Sequence, residues 1–367
     1  MTTALRAHNQ RAAFAERVHR ANYLEYWEAD YRTDKPRTGV EPCIWTWAEM
    51  KELLLESAQV IGINEAERRG LILANPGLGG KPYLTSTLFA DVQILSAGEQ
   101  APAHRHTTSA SRFFMEGEGG YTTVEGERCA AGPGDLVINP SWAWHDHGNA
   151  GREDVTYLNV LDVPLVTGLG CTFYDHDYYK MGDTSETIQS ITKPQDRSHK
   201  LYATGGLMAK QAGNTGKPYS PQLLYKYETV RAALDQMGSF DPDPYDGYLM
   251  EYVNPETGGP VMPTMSFTMQ MLAPGFETAQ HRHTSSTVYC VAEGEGHTQV
   301  DDIRLSWRKN DIFVVPAWAW HAHINADRNK SAMLFAVTDA PVIQKLALYR
   351  EQGRTPSGDI KVIAQPA

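Results

Sequence analysis

The chain has 367 residues, 41% of them hydrophobic and 21% charged, with a formal net charge of −11. That length favours two domains with ample core-forming material, and the acidic balance argues against nucleic acid or an anionic membrane as the main partner. The polar opening "MTTALRAHNQRAAFAERVHR" lacks a secretory apolar core, no run reaches the length of a membrane span, and Cys43, Cys129, Cys171 and Cys290 form no CxxC pair. These features predict a cytoplasmic protein with reduced thiols.

In chain order, residues 5–30 read as helix, with Phe14, Val18, Ala21 and Leu24 at helical spacing. A second helix is predicted over 46–61, where Thr46 and Glu49 have the spacing of a capping box. From 68 to 168, short apolar or alternating runs separated by "NPGLGG", "EGEGG" and "GPGD" read as antiparallel β-structure. One helix, "SPQLLYKYETVRAALDQM" (220–237), interrupts a less regular stretch; strand texture resumes at Tyr248, and "PVIQKLALYREQ" (341–352) reads as a closing helix. The expected organisation is a helical segment (1–67), a first β-domain (68–170), a helix-containing linker (171–246), a second β-domain (247–340) and a C-terminal helix and tail (341–367).

The two β-domains are a repeat. "HRHTTSASR" (104–112) returns as "HRHTSSTVY" (281–289), "MEGEGGYTTV" (115–124) as "AEGEGHTQV" (292–300), and "INPSWAWHDHGN" (138–149) as "VVPAWAWHAHIN" (314–325). Eight of the 13 histidines lie in the two copies of the HRH and WHxH stretches. On a strand, residues i and i+2 share a face, so His104 and His106 project together and Arg105 points away. With His145 from a neighbouring strand they form a three-imidazole set suited to a divalent metal. His281, His283 and His321 repeat the pattern as a possible second metal site, with His323 alongside. Arg112 fits an inward clamp for a carboxylate or an outward surface arginine. Asp91 and Gln93 share a strand face that can point inward, and Asp91 can equally sit on a rim. His147 fits either an acid–base or hydrogen-bonding group behind the metal ligands or a purely structural role.

The frame Gly98–His104–His106, then Gly134–Pro140–His145–Asn149, resembles the cupin double motif. The usual glutamate after HxH is missing, since Ala110 and Ser111 stand there, and Trp142 replaces the usual glycine. Three neutral imidazoles leave Fe(II) both its charges, which a chelating carboxylate and ortho-phenolate would balance. The strings "ANPGLGG", "AHRHTTSASRFFMEGEGGYTTVEGE", "PSWAWHDHGN" and "LDVPLV" resemble the gentisate 1,2-dioxygenase family, with its salicylate and 1-hydroxy-2-naphthoate dioxygenase relatives. The resemblance implies a mainly β bicupin of two double-stranded β-helix barrels, a homotetramer holding Fe(II) through His104, His106 and His145. It implies an extradiol-type enzyme of aromatic catabolism that uses O2 to open a small aromatic acid between its carboxyl- and hydroxyl-bearing carbons, turning gentisate into maleylpyruvate. By position, Arg112 corresponds to its carboxylate-binding arginine, Arg68 to a further pocket arginine and His147 to its pocket histidine. Asn159 stands where aspartate is expected, and Gly70 and Asp91 fall at positions that vary with substrate. In the second repeat Tyr289 replaces Arg112, and Gly247-Tyr248 replace Arg68-Arg69, so an anionic acid should bind poorly there. The alternatives are a salicylate, 5-substituted salicylate or hydroxynaphthoate dioxygenase, a bicupin decarboxylase or isomerase, and a non-catalytic sensor or storage bicupin.

Overall fold

A computed structural model describes all residues except 1–2, 30–31, 67, 177, 179–187, 211 and 367, with backbone alone for 3–6, 63 and 64. The chain divides into two units, Met1–Arg37 and Thr38–Ala367. In the first unit, helix α1 spans Thr3–Arg20, shorter than the predicted 5–30. It stops because Asn22 turns left-handed (φ 59°) and the Tyr23 N–H bonds back to the Val18 carbonyl at 3.0 Å, a closure that asparagine tolerates. No helix among the described residues is long and apolar enough to cross a membrane.

The second unit begins with β1 (Cys43–Trp45), α2 (Trp47–Val60) and α3 (Ile63–Ala66). A first barrel follows: β2 (Arg69–Ile72), β3 (Phe89–Leu95), β4 (Gln100–His106), β5 (Ala110–Glu116), β6 (Gly120–Val124), β7 (Glu127–Ala131), β8 (Leu136–Asn139), β9 (His145–Asn149) and β10 (Val155–Leu161). Then come α4 (Val163–Gly168), β11 (Tyr174–Asp175), α5 (Arg197–Tyr202), β12 (Leu224–Tyr225) and α6 (Tyr227–Met237). The second barrel contains β13 (Tyr248–Glu251), β14 (Ser266–Leu272), β15 (His281–His283), β16 (Thr287–Glu293), β17 (Glu295–Val300), β18 (Ile303–Arg308), β19 (Ile312–Val315), β20 (His321–Asn325) and β21 (Ala332–Thr338). The chain closes with α7 (Ala340–Lys345), β22 (Glu351–Arg354) and β23 (Ile360–Ala364).

Each barrel is two facing antiparallel sheets. The first has orders β12-β8-β5-β10-β3-β2 and β11-β4-β9-β6-β7; the second has β1-β19-β16-β21-β14-β13 and β18-β17-β20-β15-β22-β23. Apart from β23, an additional edge strand of the second barrel, the orders correspond strand for strand, and they show that the repeat is larger than the two β-domains. β1 and α2 precede the first barrel, yet β1 pairs with β19 of the second; β12 and α6 precede the second, yet β12 pairs with β8 of the first. The Trp47 N–H at the start of α2 donates to Asp311 Oδ1 (2.7 Å), and Tyr227 N–H at the start of α6 donates to Asp135 Oδ1 (2.8 Å). Thr87 Oγ1 donates to Asp339 Oδ2 and Thr264 Oγ1 to Asp162 Oδ2, both at 2.5 Å. Each barrel is thus completed by the other repeat.

The observed contacts correct three predicted elements, the first two through this exchange. Thr46 does precede α2, but its side chain makes no cap bond; the carboxylate of Asp311 serves instead. The predicted 220–237 helix begins only at Tyr227, because Leu224 and Tyr225 are used as an edge strand on Val137 and Leu136. The predicted 341–352 helix ends at Lys345, and Glu351–Arg354 pair with His281–His283 as a strand.

Strand alternation divides core from site. On β3, β5 and β10, Val92, Phe113 and Leu158 face the apolar cluster shared by both barrels, where Phe113 stacks on Phe335 with ring centroids 4.0 Å apart. Phe267 and Tyr252 pack on the same Phe335 ring. Residues one step along these strands turn into the first barrel. Phe335→Ala should therefore cost about 3–5 kcal/mol and lower the midpoint of chemical denaturation; an unchanged midpoint would show that the barrels do not depend on this stack.

Candidate metal centre and active site

β4 carries His104 and His106 into the first barrel, and its register sets His104 opposite His145 on β9. Ring centroids lie 4.1 Å apart for His104–His145, 4.8 Å for His106–His145 and 5.4 Å for His104–His106. Arg105 points away, as the alternation requires; its guanidinium lies 4.4 Å over Trp142 and 4.6 Å over Trp144 and pairs with Asp175. Trp142 has φ 62°, a left-handed backbone that explains why glycine would be the easier residue there.

Hydrogen bonding decides which nitrogens are available. His145 Nδ1 donates to the Ala143 carbonyl (2.8 Å), leaving a buried Nε2 with no protein partner. His106 Nδ1 lies 2.7 Å from the Thr108 carbonyl, again leaving Nε2. His104 Nδ1 lies 3.3 Å from the Pro102 carbonyl and also receives an N–H from Arg68. Among the described residues, one group of ligand atoms lying within 4.8 Å of one another is that of His104, His145 and His147. Yet His147 Nε2 accepts from Arg112 Nη2 (2.6 Å), because a guanidinium only donates, and its Nδ1 faces Thr122 Oγ1 (3.3 Å). Its Nε2 is thus engaged, whereas the bonds at His104, His106 and His145 all fall on Nδ1, which makes these three the better set for a metal. The orphaned Nε2 of His145 and the all-imidazole donors fit a divalent transition ion.

Arg112 lies inside the barrel, only 4% exposed, which removes the surface alternative. Register aligns Arg112 (β5), Asn159 (β10) and Asp91 (β3) in one row across three strands, with Tyr157 and Gln93 in the next. Gln93 Nε2 donates to Asp91 Oδ2 (2.6 Å), and Tyr157 OH donates to Gln93 Oε1 (3.0 Å). Gly70 is required beside them, since a Cβ would come within 2.8 Å of Gln93 Cγ and 3.0 Å of Asp91 Oδ2. Nε and Nη1 of Arg112 are buried without a protein partner. Burial pushes its pKa down to about 10, which leaves it a cation at neutral pH. Burial also raises the Asp91 carboxyl, against the hydrogen bond from Gln93.

Arg68 reaches this chamber while Arg69 does not. Arg68 also approaches Tyr174 OH (3.4 Å), whereas buried Arg69 forms an ion pair with Glu99. Sequence reasoning missed Tyr174, whose ring stacks on His104 and His106 at 5.5 and 6.2 Å. It arrives through β11 pairing with β4, outside any motif.

The second barrel repeats the triad. Ring separations are 4.2 Å for His281–His321, 5.1 Å for His283–His321 and 5.7 Å for His281–His283, and Nε2 of His321 and His323 are buried without a protein partner. Tyr289 takes the place of Arg112, and its ring packs 4.8 Å from His323. β13 begins at Tyr248 where β2 begins at Arg69, so Gly247 occupies the Arg68 position. A residue missed by the sequence reading also enters: Glu351 Oε1 lies 3.4 Å from His281 Nδ1, and Tyr349 OH donates to its Oε2 (2.9 Å). Despite burial, which opposes it, these bonds hold the Glu351 carboxyl below the usual range.

Burial lowers His106 to about 4, with the Arg112 charge adding to the effect against the Thr108 hydrogen bond. His104, His145 and His147 are held well below the ordinary value, chiefly by burial, and His283 falls to about 4. Each binds fewer protons folded than unfolded, so its contribution to stability is full above about pH 6.5 and is lost as pH falls toward 4. Thermal melts of metal-free protein should therefore decline steeply below about pH 6.5, by up to roughly 3 kcal/mol per such histidine. A flat profile down to about pH 5 would contradict neutral buried imidazoles.

A cupin-domain model matches residues 91–161 and 268–338, one segment in each barrel. The chain is 38% identical to gentisate 1,2 dioxygenase 1 of Aquipseudomonas alcaligenes, over 93% of this chain and 96% of that protein. It is 37% identical to 5-aminosalicylate 1,2-dioxygenase of Comamonas sp, over 96% and 92%. The crystal structure of salicylate 1,2-dioxygenase from Pseudoaminobacter salicylatoxidans, as adducts with gentisate, superposes with a TM-score of 0.84 at 29% identity, covering 99% of this chain and 95% of that one.

Proposed function

The chain belongs to the gentisate 1,2-dioxygenase family of bicupin, aromatic ring-cleaving dioxygenases, and from that premise we propose that it is an Fe(II) enzyme opening 2-hydroxybenzoates, gentisate first, between the carboxyl- and hydroxyl-bearing carbons. The observation that carries this reading is the Arg112 guanidinium, buried with Nε and Nη1 unpartnered among neutral imidazoles. A buried cation in such surroundings calls for an anion, and a planar fork matches a carboxylate in bidentate geometry.

His104, His106 and His145 would hold the iron, which when bound supplies the Lewis acidity and redox partner that O2 chemistry on an aromatic ring requires. Arg112 fixes the substrate carboxylate, and Arg68 adds positive charge on the same side. When Arg112 turns to that carboxylate, Nε2 of His147 is released to accept the phenolic proton, with its orientation kept by Thr122. Across the row, Asp91 accepts a hydrogen bond from a substituent para to the phenol. A 5-hydroxyl serves, giving gentisate and hence maleylpyruvate. A 5-amino group serves equally, and the 5-aminosalicylate relative supports that second reading. His281, His283 and His321 form a second metal site without an anion clamp.

Oxygen uptake by protein reconstituted anaerobically with Fe(II), offered gentisate, 5-aminosalicylate, salicylate and 1-hydroxy-2-naphthoate, tests the reading. Stoichiometric uptake with ring-opened product is expected, fastest for gentisate or 5-aminosalicylate. Bound iron without uptake on any of these would sink it. Arg112→Met should lower kcat/KM on the preferred substrate by roughly 100-fold or more, the scale of breaking a buried charge pair, while iron content stays the same. Asp91→Gly should shift the gentisate-to-salicylate ratio of kcat/KM toward salicylate by about tenfold; an unchanged ratio would remove Asp91 from substrate selection.

A further inference from the structure

The two histidine triads are alike in geometry and opposite in the charge placed behind them. In the first barrel a guanidinium, Arg68, donates to Nδ1 of His104. A histidine that accepts at Nδ1 carries its proton on Nε2, and Nε2 is the atom that would have to bind metal. Loading this site therefore requires His104 to change tautomer, its Nδ1–H turning to the Pro102 carbonyl 3.3 Å away, and Arg68 to leave. Arg112 contributes a second fixed positive charge one imidazole away, through His147. Both cations oppose a metal dication until an anion lies between them.

In the second barrel the matching histidine, His281, has a carboxylate at Nδ1: Glu351 Oε1 at 3.4 Å, with Tyr349 OH holding the other oxygen at 2.9 Å. A carboxylate there keeps the proton on Nδ1, leaves Nε2 free to ligate and makes the ring a stronger donor. Neither guanidinium has a counterpart, since Tyr289 and Gly247 stand in their places. The Tyr245 ring stacks on His281 at 5.8 Å and shields that side.

We propose that the second barrel holds its divalent metal tightly without substrate, with Glu351 as the positioning residue, and that the first site holds metal weakly until an aromatic carboxylate joins it between Arg68 and Arg112. The proposal rests on reading both triads as metal sites. It makes metal and substrate binding mutually reinforcing in the first barrel and independent in the second.

The test is timed chelation of the Fe(II)-loaded full chain under anaerobic conditions, with metal counted by mass spectrometry and activity assayed in parallel. Two ions per chain are expected at the start. One should leave quickly together with activity, and the other should remain. Salicylate added beforehand should slow loss of the first ion at least tenfold and leave the second unaffected. Glu351→Gln, which removes the charge but keeps an acceptor, should speed release of the retained ion about tenfold or more and leave the early phase unchanged. Unaltered melting of the metal-free variant would establish that it folds. His321→Ala should abolish the retained ion, and His145→Ala the labile one. The proposal is overturned if both ions leave together, if the retained ion maps to His145, or if Glu351→Gln leaves its release unchanged. A count of one ion per chain, unaffected by His321→Ala, would remove the second metal site while leaving the dioxygenase reading of the first barrel intact. Loss of that reading would appear separately, as iron bound through His145 with no oxygen uptake.

Discussion

The structure depends on a reciprocal exchange. Neither barrel completes its own sheet: β1 closes the second and β12 the first, and each following helix starts on a carboxylate of the barrel whose sheet its strand completes. Helix starts leave backbone N–H groups that must find acceptors, and here Asp311 and Asp135 provide them across the repeat boundary. With Phe113 stacked on Phe335 between the barrels, the outer faces of the central strands are buried on both sides. That burial gives the strands a rigid backing, and the inward residues can then be polar.

The interior of the first barrel is an electrostatic arrangement waiting for an anion. Neutral imidazoles, a buried guanidinium and a carboxyl pushed up by burial lie in register on adjacent strands. Packing alone does not stabilise the guanidinium there, because burying a charge is costly. The hydrogen bond from Arg112 to His147 and that from Arg68 to His104 give the cations temporary partners. In the proposed reading an arriving carboxylate would replace them, and substrate binding would rearrange protons on the histidines as well as charges around them.

Duplication produced two such chambers, and their divergence is concentrated in few positions. Tyr289 for Arg112, Gly247 for Arg68 and Glu351 for Tyr174 (each paired to its HxH strand at the same register) reverse the field around otherwise matching triads. The histidines survive where the arginines do not, so the barrels differ in the charge around their triads more than in how they are built.

The sequence by itself determined the repeat, the β-character of both domains, the inward pairing of His104 with His106 and the outward turn of Arg105. These follow from alternation along a strand, a local rule that spacing exposes directly. It left open whether Arg112 faced in or out, and it assigned 220–226 and 346–352 to helix. It could not show Tyr174 or Glu351 beside the histidines. Those outcomes depend on which distant strand supplies an edge and which distant carboxylate accepts a helix start. Only the tertiary structure decided them, because β12 pairing across the barrel boundary and β22 pairing within the second barrel override local helical preference, and β11 and β22 bring residues outside every motif against the histidine triads.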